Sequence, residues 1–186
     1  MMKKRTTERV GWVLLGLALV FGASCQKEPS PDYRLNATVK DIMQSMVDPS
    51  ADVVWNSVAT IVTQQGTDER RPKTDEEWNT VRHHAIIVAE ATNLLTMPGR
   101  HMARPGERSD NPEVELHPEE IEALIGQDRK VWIDFAHGLN DQMAIALKAI
   151  DAKDVQALFD VGEAIDEACE HCHRHYWYPP DANKRK

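Results

Sequence analysis

Three side chains with the right chemistry for a shared cofactor stand close together in Cys169-Glu170-His171-Cys172-His173, which reads C-x-x-C-H. Residues three and four apart lie on one face of a helix. On a helix, the two thiols therefore point the same way, and His173 continues their face. Thiols at this spacing can each bond a vinyl group of haem, while the adjoining imidazole reaches the iron. The pattern is the attachment signature of a c-type haem. One covalently attached haem c is expected, with Cys169 and Cys172 as anchors and His173 as the proximal iron ligand. Two other chemistries use C-x-x-C. A thioredoxin-like redox pair lies near a βαβ pattern, which this chain lacks. A zinc site needs about four ligands. His171, His173 and His175 offer three, but three histidines within five residues of one helix cannot converge on one centre.

The N-terminus supplies a context for such a group. Lys3, Lys4, Arg5 and Arg9 precede an apolar run from Val10 to Phe21 that is short for a bilayer span. This predicts a signal peptide over 1–24. Gly22-Ala23-Ser24-Cys25 resembles the lipobox of bacterial lipoproteins, with Gly22 where leucine is usual. The resemblance implies lipid on Cys25 and a membrane anchor; an ordinary signal-peptidase cut fits the same small residues. Two of the three cysteines belong to C-x-x-C-H, and the odd one, Cys25, is accounted for if it carries lipid. Export places the chain on the periplasmic side of the bacterial envelope, where haem is attached covalently. Losing residues 1–24 removes four basic side chains and Glu8. The remainder has 18 basic against 29 acidic residues, a net charge of −11. That field disfavours nucleic acid, and it suits either a basic redox partner or simply the solubility of an exported helical protein.

The elements that must hold the motif follow from periodicity. Residues 25–32, with Pro29 and Pro31, read as a tether, and residues 33–178 as the domain. Leu35, Val39, Ile42, Met43 and Met46 recur at helical spacing. After Asp48-Pro49, taken as N-cap and first helical residue, Val54, Trp55, Val58, Ile61 and Val62 do the same. These runs, 33–47 and 49–65, predict one broken first helix, followed by a turn from Thr67 to Lys73. Thr74-Asp75-Glu76-Glu77 is a capping box that opens a second helix ending before Pro98-Gly99. A long irregular loop fills roughly Gly99 to Leu116. A third helix begins near His117-Pro118, pauses at Gly126 and resumes through Trp132, Leu139, Met143 and Ile150. Asp154 opens the last helix, which carries the motif and stops at Pro179-Pro180. A polar tail, 179–186, closes the chain. No strand signal of comparable strength is present. The expected architecture is all-α, an up-and-down four-helix bundle. Trp55, Trp78 and Trp132 are assigned to its core.

A four-helix chain with C-x-x-C-H on its last helix resembles the cytochrome c′ family, the class II c-type cytochromes, over about residues 33–178. The resemblance carries Cys169 and Cys172 over as thioether cysteines and His173 as proximal ligand. It also implies that the sixth position at the iron faces the first helix. In low-spin members a methionine binds there, and in cytochrome c′ proper an apolar side chain leaves the iron five-coordinate. Met43 sits at the position matching the family's methionine. Met46 comes second, since counting back ~19 residues from a helix end near Gln65 lands beside it. The bland use of either is core filling. Met97, His101 and Met102, in or beside the long loop, are rival ligands, and Arg100 and Arg104 are candidates to meet the haem propionates. His83 and His84, in mid-helix, are assigned to solvent or to partners in the core. After His173 the chain reads Arg174-His175-Tyr176-Trp177. It keeps the family's aromatic residue but lacks the basic one that follows it in cytochrome c′.

These readings predict a single-haem electron carrier rather than an enzyme. Two alternatives stay open: a five-coordinate haem protein binding nitric oxide or carbon monoxide, and a zinc-bound structural lipoprotein. The sequence leaves homodimer formation undecided.

Overall fold

Thr38 begins the ordered helical part of the chain. Its Oγ1 accepts from the backbone N–H of Asp41 at 3.1 Å, and the Asp41 carboxylate accepts from the N–H of Thr38 at 3.0 Å. This reciprocal box opens α1 (Val39–Ile42). The first N–H groups of a helix lack internal partners. Here the carbonyls of His101 and Met102 accept from Val39 and Lys40 at 2.9 and 3.0 Å. These contacts belong to a computed structural model that describes residues 32–180. The expected signal peptide, Cys25 with most of its tether, and the end of the polar tail lie outside the described residues. Two units divide the chain, 1–34 and 35–186, and every element below belongs to the second.

The first helical stretch departs from the expected outline. It runs without interruption from α1 through a π-helical segment (Met43–Val47) into α2 (Asp48–Ser57). Asp48 has helical angles, φ −56° and ψ −55°, and is not an N-cap. The cause is Pro49. In a continuous helix its ring crowds the carbonyl four residues back, and it has no N–H to donate. Widening the preceding turn, so that the N–H of Asp48 reaches back five residues to Met43, accommodates it.

The helix then ends at Ser57, not at residue 65. Val58 is extended, and β1 (Ala59–Thr63) pairs antiparallel with β2 (Gly66–Arg70), Thr63 opposite Gly66 and Ala59 opposite Arg70. The expected helix end and the expected turn from Thr67 are thus a β-hairpin. Five of the six residues Val58–Thr63 are β-branched, which favours strand over helix.

The later elements follow the expectation. α3 (Asp75–Leu95) opens on Thr74, whose hydroxyl accepts from Glu77 N while the Glu77 carboxylate accepts from Thr74 N. Residues 96–117 contain no helix or strand. α4 (Pro118–Gln127) and α5 (Arg129–Asp151) are separated at Asp128, which caps α5 by accepting from Val131 N at 3.2 Å. α6 (Val155–Tyr176) is capped by Asp154, which accepts from Ala157 N at 3.0 Å.

The described residues are mainly helical, with one two-stranded sheet. α5 lies between α3 and α6, and α2 packs on α3. Small side chains let α3 and α5 approach closely: Ala85, Ala91 and Ala146 are fully buried beside Val88 and Met143. Asn140 locks that seam, donating to the carbonyl of Ala89 and to Thr92 Oγ1, both at 2.8 Å. Trp78 and Trp132 are core residues, as expected, whereas Trp55 is only half-buried. No helix among the described residues is long and apolar enough to cross a membrane.

Candidate functional site

α6 brings Cys169, Cys172 and His173 to one side of the helix. Leu158, Val161, Ile165 and Tyr176 form its buried stripe. Cys169 lies four residues after Ile165 and Cys172 four before Tyr176, so both half-buried thiols border the core. Their sulfurs are not bonded to each other. Burial pushes the Cys169 thiol up to about 11, helped by the negative charges of Asp166, Asp48 and Glu170. Burial pushes Cys172 up to about 12. Reactive redox pairs need the opposite, a thiol acidified by its surroundings. Burial also lowers the basicity of His173, against the pull of Glu170 and Asp48. A neutral imidazole is the form that binds a metal.

The first helical stretch faces this site. Asp48, itself raised above the usual carboxylate range by burial, acts electrostatically on both Cys169 and His173. Further along, Trp55 Nε1 donates to the carbonyl of Gly162 at 3.4 Å. The electrostatic pairing at Asp48 and the hydrogen bond at Trp55 run in opposite senses along the helices, so the stretches are antiparallel. Trp55 beside Gly162, with Asp48 acting on Cys169 and His173, therefore brings the end of α6 level with the π-helical segment that carries Met43 and Met46. Both methionines are half-buried against the core, on the π-helical segment. The count from Gln65 that pointed to Met46 is replaced by this register, because the helix ends at Ser57.

An open groove of about 640 Å³ lies between α2 and α6, with an apolar floor of Val54, Trp55, Val58, Leu158 and Ile165 and a rim that carries the carboxylates of Asp160, Glu163 and Asp166. Its far wall at Asp166 stands one turn before Cys169. Phe159 is half exposed there. Two thiols on one face, an imidazole made less basic by burial next to them and a cleft with an apolar floor alongside fit a flat, covalently held group such as haem. Cys169, Cys172 and His173 would hold it.

Most of the rival residues are engaged in contacts of their own. Arg100 donates to the carbonyls of Leu94 and Ala37 and contacts the Met97 sulfur at 3.3 Å. Arg104 pairs with Asp41. His101 Nδ1 is 2.9 Å from Glu122 Oε1. Both expected propionate partners and two of the rival ligands are therefore already engaged. Met102 packs against the core. His84 Nδ1 meets Ser50 Oγ at 3.2 Å, and His83 is exposed. His171 is exposed, and His175 turns to Phe135 and Tyr176. Among the described residues, no group of three or more His, Cys, Asp or Glu is arranged to hold a metal ion.

Sequence reasoning missed two neighbours of His173. The Trp177 ring stands edge-on to the imidazole at 5.2 Å, and Tyr178 lies at 6.1 Å. The i, i+4 spacing of His173 and Trp177 was the available signal. Asp48 left none, because its approach to α6 is purely tertiary. Comparison of the chain with protein-family models, with curated proteins and with solved structures finds no match.

Proposed function

We propose that the chain is a single-haem c-type cytochrome of the bacterial cell envelope, an electron carrier built as a four-helix bundle of the cytochrome c′ type. The observation that carries this reading is the common face of Cys169, Cys172 and His173 on α6, one turn beyond a groove against α2. Haem bound there would supply reversible one-electron iron chemistry. The chain's own contribution is to anchor it through two sulfurs, present a neutral imidazole from His173 and limit water through the surrounding core. Met43 is the preferred sixth ligand, with Met46 behind it; the facing register of the helices supports both. A methionine sulfur at the iron raises the reduction potential. The acidic balance of the chain favours a basic partner protein.

The test is the absorption spectrum and mass of the protein matured in a bacterial envelope. The expected outcome is one covalent haem, a low-spin spectrum and a sulfur-to-iron charge-transfer band that disappears in Met43→Ala. A high-spin spectrum that responds to carbon monoxide would instead make it a gas-binding haem protein. A polypeptide lacking haem and containing zinc would overturn both.

A further inference from the structure

We infer that Trp177 and Tyr178 are positioning residues that fix the plane of the His173 imidazole. The inference rests on the haem reading above and extends it to two residues outside the C-x-x-C-H motif. α6 does not fray at its end; it folds back on the motif. The carbonyl of His173 accepts from both the Trp177 N–H at 2.7 Å and the Tyr178 N–H at 3.0 Å. This places the two aromatic rings beside the imidazole of the same residue. The indole stands at 88° to the imidazole with centroids 5.2 Å apart, and the Tyr178 ring lies at 59° and 6.1 Å. The indole and phenol are themselves in contact at 5.4 Å. Both rings lie within aromatic contact distance of the imidazole and would resist its turning about the Cβ–Cγ bond.

The cage is tied at three points. The Trp177 carbonyl accepts from the N–H of Leu116, a buried residue at the end of the long loop, at 2.8 Å. The Tyr178 hydroxyl donates to Glu170 Oε1 at 2.6 Å. The other oxygen of Glu170 pairs with Arg174 Nε at 3.2 Å. Groups that lock the orientation of a metal-binding histidine set the ligand field it offers, although they never touch the metal. Trp177 is 40% exposed, so packing into the core does not account for its position.

Electron paramagnetic resonance of the ferric protein reads that ligand field whether or not a sixth ligand is present. The wild type, Trp177→Ala, Trp177→Phe and Tyr178→Phe are matured as full chains, and covalent haem is confirmed in each by mass. A single set of g values is expected for the wild type. Trp177→Ala should give a second or broadened set, Trp177→Phe should restore the single set, and Tyr178→Phe should shift it least. A merely structural role would lower the unfolding temperature and leave the g values alone. A haem-loaded Trp177→Ala with an unchanged spectrum overturns the inference and leaves the haem reading standing. A wild type without haem removes both. Should Trp177→Ala fail to accumulate, Trp177→Leu removes the ring while keeping an apolar side chain, with the same expectation and the same overturning result.

Discussion

α6 and the stretch from Thr38 to Arg70 are both amphipathic on paper, yet they fold by different rules. In α6, local and tertiary preferences agree: Asp154 caps it, and Leu158, Val161, Ile165 and Tyr176 bury one stripe at helical spacing. In the other stretch they compete. Thr38 and Asp41 start a helix firmly, Pro49 forces a π-helical turn, and the β-branched run after Ser57 leaves the helix for a hairpin. Hydrophobic spacing alone does not separate the cases. Val54, Trp55, Val58, Ile61 and Val62 match the helical period, but Val62 is 76% exposed on a strand. The difference lies in the backbone preference of each residue type, which periodicity ignores.

The contrast between the two stretches yields experiments, the sharpest of which separates scaffold from cofactor. If the proposed haem is present, replacing both Cys169 and Cys172 by Ser should abolish its covalent attachment entirely, as judged by mass and by absorbance of the denatured protein. The same variant should keep its helical circular dichroism, because neither thiol takes part in the cap or the fully buried stripe of α6. Next in size is the stripe itself. Ile165→Ala should cost about 2–5 kcal/mol in denaturant unfolding, whereas Val62→Ala in the hairpin should stay within about 0.5 kcal/mol. Equal losses at the two sites would mean that the hairpin is buried in the native protein as deeply as α6.

Much of the fold was legible because its signals were local. The capping box at Thr74, the cap at Asp154 and the stops after Tyr176 each depend on neighbours within a few residues. The motif was legible for the same reason: C-x-x-C-H is a short-range pattern whose geometry follows once the helix is granted. The hairpin was not, because its two-residue turn, Gln64-Gln65, lacks the Asn-Gly or Asp-Gly chemistry that announces such turns. Gly66, with φ at +135°, comes just after it. The tie between Arg104 and Asp41 joins residues 63 apart and had no sequence signal at all. The same holds for the 101–102 carbonyls that satisfy the start of α1.

A smaller effect tests whether the first helical stretch is held from its start. Thr38→Ala removes the acceptor for Asp41 N and should cost about 0.5–2 kcal/mol, read as a lower urea midpoint at unchanged slope. The loop carbonyls of His101 and Met102 would still satisfy Val39 and Lys40, so the loss should fall short of the Ile165→Ala value.

The smallest effect is a matter of pH, and it compares the two capping boxes. Asp41 is held below the usual carboxylate range first by the Thr38 N–H and hydroxyl, then by Arg104. Glu77 is held down by the N–H groups of Lys73 and Thr74. A depressed carboxylate stabilises the fold fully above its unfolded value, and that stability is lost as pH falls through the folded one. Both contributions are therefore present at neutral pH and fade only below the ordinary Asp and Glu range. Asp41→Asn and Glu77→Gln should each lower the unfolding temperature at pH 7 and leave it nearly unchanged at pH 2. Added salt should weaken the part of the Asp41 effect that comes from Arg104, because the arginine of that ion pair is largely exposed. The Glu77 effect, set chiefly by backbone donors, should respond less. An Asp41→Asn variant whose loss persists undiminished at pH 2 would show that the box at Thr38 works through packing rather than through the carboxylate.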